Sequence, residues 1–109
     1  MKIIEAVAEI YNTEQETIHK KTRKRESSEP RMVCIAIYRA TDELKGGVLS
    51  REFHLTSPSL FNAAKKVSFL IMYDSVFRSK VHDILIKLYE TKEQRERIIN
   101  RMINYRKDY

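Results

Sequence analysis

The side chains able to do chemistry fall into two sets: a few titratable groups without partners, and cations in clusters. His19, His54 and His82 are the three histidines, and Cys34 is the single cysteine. No two histidines stand four apart, and none shares a spacing with Cys34 that suits a tetrahedral metal site. No glycine-rich loop opens a helix to cradle phosphate, and the serines and aspartates form no nucleophile turn. The residues therefore predict a chain with no catalysis, metal or cofactor. The cations differ: Lys20, Lys21, Arg23, Lys24 and Arg25 crowd one segment, and Lys65-Lys66 form a second pair. Charges placed like this suit phosphates, and arginine also fits a narrow minor groove. The alternative is a solvated charge run, which Glu26 and Glu29 partly offset.

The elements that must position these residues centre on the stretch from His19 to Leu44. After the basic segment come Met32 to Tyr38, apolar or weakly polar throughout, bracketed by Arg31 and Arg39. A helix apolar on all sides is a buried helix, so other elements should wrap this one. A central strand is the competing reading, because Val33-Cys34-Ile35-Ala36-Ile37-Tyr38 is rich in β-branched residues and periodicity does not separate the two. Punctuation favours the helix: Ser28 as N-cap, Glu29 and Pro30 in the first turn, and Gly46-Gly47 as its end.

Around it, Ile3, Ile4, Val7, Ala8 and Tyr11 share a helical face opposite Glu5 and Glu9. Thr13 with Glu16 makes a capping box for a short second helix anchored by Ile18. Val48, Leu49 and Phe53 mark a short helix over about 48–53. Ser57 as N-cap with Pro58 next opens a longer helix. That helix turns Leu60, Phe61, Ala64, Val67 and Ile71 inward and Ser59, Asn62, Lys65 and Lys66 outward. Asp74-Ser75 caps the next, striped by Phe77, Val81, Ile84, Leu85 and Leu88. Thr91 with Gln94 forms a second capping box for a charged last helix to about Arg106, with Ile98, Ile99, Met102 and Ile103 as a narrow apolar strip. Seven helices are expected.

Composition agrees. The 109 residues suit one domain, and 42% apolar content supplies a core. Two glycines and two prolines among abundant Leu, Ile, Lys, Arg and Glu indicate an all-α chain. A net charge of +6 and a pI near 9.5 suit an anionic partner, nucleic acid first. One cysteine allows no internal disulfide and suits a reducing cytoplasm, where this chain is expected. MKIIEAVAEIY does not read as a signal peptide, because Glu5 and Glu9 interrupt it. The apolar runs Met32 to Tyr38 and Val67 to Tyr73 are far below the roughly 20 residues that span a bilayer.

The short helix, the tight connection and the Ser57 helix have the proportions of a helix-turn-helix, whose second helix reads base edges from its N-terminal turns. Thr56, Ser57, Ser59 and Asn62 occupy those positions, with Lys65 and Lys66 a turn on, where phosphates are expected. The plainer reading is a cap and a solvated helix face.

Together these motifs resemble the C-terminal DnaA-box-binding domain of the bacterial replication initiator DnaA, a helical domain with a Trp-repressor-like helix-turn-helix. The likeness rests on Val7-Ala8-Glu9 with Tyr11, on Lys21-Thr22-Arg23-Lys24-Arg25 followed by Pro30-Arg31, and on Asn62-Ala63-Ala64-Lys65-Lys66-Val67. It covers about residues 3 to 88. It implies that Arg25 reaches a minor groove and that Arg31 lies near the backbone. The family's Asp-His-Thr-Thr signature, preceded by paired glycines, is missing. His54-Leu55-Thr56-Ser57-Pro58-Ser59 stands there, one residue shorter, and Glu29 replaces a family arginine. No stretch of this chain resembles the family's nucleotide-binding ATPase domain.

The expectation is thus a DnaA C-terminal-like helical domain over 1–90, extended by a helix over 91–109 of the same domain. Its partner is double-stranded DNA, as in replication initiation, with no nucleotide and no membrane. The DNA-facing set is Lys21, Arg23, Lys24, Arg25, Arg31, Thr56, Ser57, Ser59, Asn62, Lys65 and Lys66. The alternative is a protein-interaction or dimerisation module on the same scaffold. It would use the last helix, or the 69–73 run, to dock or self-associate. Otherwise the last helix should pack on the Phe77–Leu88 helix.

Overall fold

A computed structural model describes residues 1–19 and 25–105, and of 25–27 the backbone alone. The described residues form seven helices and no strand: α1 (Ile3–Tyr11), α2 (Gln15–His19), α3 (Arg25–Thr41), α4 (Gly46–Phe53), α5 (Ser57–Tyr73), α6 (Ser75–Leu88) and α7 (Lys92–Ile103). The all-α expectation holds, and Met32 to Tyr38 is helix. No helix among the described residues is long and apolar enough to cross a membrane.

The apolar run does organise the fold. α3 packs on α1, α2, α5 and α7 at once. Val33, Cys34, Ile35, Ala36, Ile37 and Ala40 are all buried, so no side of its middle turns faces water. α1 contributes Ile3, Ile4, Val7 and Ala8 as its stripe predicts, and Ala6 as well. α6 contributes Phe77, Val81, Ile84 and Leu85. Full burial of such side chains is worth about 1.5–3 kcal/mol each, so one stripe suffices to hold each surface helix.

Several boundaries differ from the pattern. α3 begins at Arg25 and runs through Pro30, so Ser28 is no N-cap. Proline lacks an N–H and costs α3 one bond near its start, and the burial that follows outweighs it. α3 stops at Thr41, before Gly46-Gly47. Thr41 donates its hydroxyl back to Ile37 O at 2.9 Å, and Asp42 takes a left-handed φ of 57°. Among the described residues the left-handed positions fall to Asn12, Asp42 and His54, while both glycines keep negative φ. Asn, Asp and His are the side chains most often found in that region, and Asp42 there frees Gly46 and Gly47 to open α4 instead.

α7 corrects a larger expectation. Its Thr91–Gln94 capping box is formed as predicted. It packs chiefly on α3 and α5, however, and meets α6 only at the margin. Ile98 and Met102 belong to the same core cluster as α3. Ser68 Oγ donates to Ile103 O at 2.7 Å, and Arg101 pairs with Asp42 at 3.1 Å. The described part of 91–109 is therefore built into the domain, and two of the four strip residues are spent inside it.

Cys34 is 0% exposed, and burial pushes its thiol well above the ordinary range. The thiol should resist a water-soluble disulfide reagent in the native protein and react stoichiometrically in denaturant; fast native labelling would place it at the surface. Ile35 and Ile37, 1% and 0% exposed, make the harsher test. An uncompensated carboxylate at either site costs several kcal/mol, against a total stability of about 5–15 kcal/mol. Ile35→Asp and Ile37→Asp should each abolish the native circular dichroism transition.

Candidate nucleic-acid interface

The candidate interface consists of α4, its turn and α5. Leu49 and Phe53 seat α4 with 0% exposure each. His54 then turns the chain with a φ of 54°, and Leu55 N–H bonds Ser50 O at 3.0 Å. The Ser50 hydroxyl donates to the Leu55 carbonyl, so one residue of α4 holds both sides of the turn. Thr56, not Ser57, is the N-cap of α5. Its Oγ accepts from Ser59 N–H at 3.3 Å and donates to Ser59 Oγ at 3.0 Å. Ser57 and Pro58 become the first two helical residues, both exposed.

Arg31 anchors this unit from below and is not a surface cation. It is 5% exposed, and its guanidinium donates to His19 O at 3.0 Å and to Phe53 O. The same group lies 5.8 Å from the centre of the Phe53 ring. One side chain on α3 thus satisfies the last carbonyls of α2 and α4, which have no partner within their own helices. Burial lowers its pKa from the usual guanidinium value. The expectation that Arg31 meets a phosphate is corrected by this placement: its donors point into the fold. His19 adds to the anchor, with Nε2 3.0 Å from Glu52 and its ring 5.4 Å from that of Phe53.

The other expected contacts divide. Ser57, Asn62, Lys65 and Lys66 are exposed, and none has a side-chain hydrogen bond or ion pair among the described residues. At 100° per residue, Asn62, Lys65 and Lys66 share the outward side of α5. Thr56 and Ser59 are occupied with each other at the cap. Phe61, expected inward, is 36% exposed and packs edge-on to Tyr105 at 5.3 Å. Ala63 and Ser68 are buried in its place. Lys21, Arg23 and Lys24, and the side chain of Arg25, lie outside the described residues.

Sequence reasoning missed Lys45. This exposed residue precedes α4 and lines a cleft of about 300 Å³ with Ser57, Leu60 and Gly46, so it stands close to the start of α5. A cation just before the first helix of such a pair was the available signal. Arg39 lines the same cleft but donates to Leu60 O at 3.3 Å. Among the described residues, no group of three or more His, Cys, Asp or Glu is placed to hold a metal.

The two roles open to Arg31 separate in one experiment. Arg31→Ala leaves the buried Phe53 carbonyl and the part-buried His19 carbonyl without a donor and should cost about 2–3 kcal/mol in urea unfolding. A phosphate-contacting arginine would leave the midpoint unchanged. Comparisons of the chain with protein-family models, with curated proteins and with solved structures found no match.

Proposed function

We propose that this chain binds duplex DNA through a helix-turn-helix and an adjoining basic segment, with affinity supplied by phosphates more than by bases. The observation that carries the reading is the N-terminal half of α5. It presents Ser57, Asn62, Lys65 and Lys66 outward without partners, on a turn held by Ser50 and a base held by Arg31. Such a helix end is suited to a major groove about 12 Å wide. The sequence likeness to the DnaA C-terminal domain supports the same use, with Lys21, Arg23, Lys24 and Arg25 on the minor groove or backbone. Lys45 joins them from the start of α4.

Specificity is expected to be weak. Bidentate contacts to base edges discriminate by about 1–3 kcal/mol each, and they need free donors and acceptors. Thr56 and Ser59 are engaged at the cap, Pro58 donates nothing, and Asn62 alone has an amide. The family's acidic, imidazole and second threonine groups are absent.

Two measurements test this. In direct competition at physiological salt, the family's usual DNA box should bind no better than its shuffled sequence. A clear preference for the box, lost on Asn62→Ala, would establish base reading instead. Lys65→Ala and Lys66→Ala should each flatten the dependence of log affinity on log salt by about one unit, with thermal stability unchanged. If these and the triple variant Arg23→Ala, Lys24→Ala, Arg25→Ala leave affinity unchanged, the DNA reading falls.

A further inference from the structure

The cleft beside Lys45 has features that contact with a DNA phosphate would not use. It lies where the C-terminal end of α3 meets the starts of α4 and α5. One wall is apolar, made by Leu44, Leu49 and Leu60. Leu49 and Leu60 are 0% and 4% exposed, so this wall belongs to the packed interior. Arg39 braces it by donating to Leu60 O at 3.3 Å. A backbone phosphate gains nothing from three leucines. The space of about 300 Å³ stands at the small end of ligand pockets, which are mostly apolar with a few polar groups that fix orientation.

The polar side chains define the head of the ligand. Three charged groups line the cleft: Arg39, Asp42 and Lys45. The Asp42 carboxylate already has a partner, with Oδ2 3.1 Å from the Arg101 guanidinium. Lys45 has no ion pair, and Ser57 no side-chain hydrogen bond, among the described residues. One ammonium and one hydroxyl suit a singly charged head that accepts hydrogen bonds, which is a carboxylate. A phosphate monoester carries nearly two charges at neutral pH and would ask for more donors than these. A neutral ligand makes no use of Lys45, and a cationic one is repelled by it. At Gly46, on the edge of the same cleft, an added Cβ would meet no atom within 4 Å, so the space there is open.

We propose that this cleft binds a small carboxylic acid with an apolar body, its carboxylate on Lys45 and Ser57 and its body against Leu44, Leu49 and Leu60. Lys45 and Ser57 also face DNA in the proposed function. A consequence that rests on that reading is that the acid and a duplex compete, which makes the acid a regulator of DNA binding. The probes are acetate, butyrate, benzoate and phenylpropionate, each beside its uncharged amide, titrated into the isotope-labelled whole chain. Amide shifts should centre on residues 45–49 and 57–60, and affinity should rise with the apolar body. Phenylpropionate should bind about tenfold more tightly than acetate or its own amide. Lys45→Ala should remove most of that advantage over the amide. Gly46→Leu, whose side chain enters open space, should block every probe, and both variants should keep the parent thermal midpoint. No saturable binding through the millimolar range, equal binding of acid and amide, shifts centred elsewhere, or indifference to both variants overturns the proposal. Saturating phenylpropionate should also weaken duplex binding. An acid that binds here and leaves duplex affinity unchanged overturns the competition and takes Lys45 and Ser57 out of the DNA contacts. A chain that takes the acid yet binds no duplex sinks the DNA reading alone.

Discussion

A guanidinium taken out of water must be met by acceptors already in place, or the fold loses more than it gains. Arg31 meets that condition with the carbonyls of His19 and Phe53 and with the face of the Phe53 ring. Those carbonyls are helix ends, so a single side chain ties α2 and α4 to the central helix. The position of α4 fixes the turn, and the turn fixes where α5 starts. The exposed polar groups of α5 thus owe their placement to a cation that is almost wholly buried. Lysine is a poor substitute, since one ammonium lacks the flat fork that spans two acceptors and lies over a ring.

Burial by hydrophobic pattern was legible in advance for most of the chain. Ile3, Ile4 and Val7 on α1, and Phe77, Val81, Ile84 and Leu85 on α6, repeat at helical spacing and are buried. The Thr91–Gln94 box was equally plain, because both halves of a reciprocal cap are local in sequence. The central helix could be recognised as central because both its sides are apolar. Arg31 could not be recognised as structural: its partners lie 12 and 22 residues away, and a charge beside a basic segment reads as surface. Gly46-Gly47 read as a stop because glycine so often supplies the left-handed residue after a helix. Here Asp42 supplies it, and the glycines begin the next helix.

The same limit applies to the surface. Sequence spacing separates the outer side of α5 from the inner one, but it does not say which hydroxyls are already engaged. Thr56 and Ser59 looked as available as Ser57 and Asn62; one bond at the cap distinguishes them. Nor does spacing reveal where α7 goes. Its narrow strip fits any apolar seam, and the groove between α3 and α5 is the one that also offers Ser68 and Asp42 as polar partners.

α5 is 17 residues long, which at 1.5 Å per residue is about 25 Å of rigid rod. That is roughly twice the width of a major groove, so a groove that met Ser57 and Asn62 would leave Phe69 and Tyr73 outside it. Because one continuous helix carries both sets, Phe69 and Tyr73 stand at a fixed reach from Ser57 and Asn62.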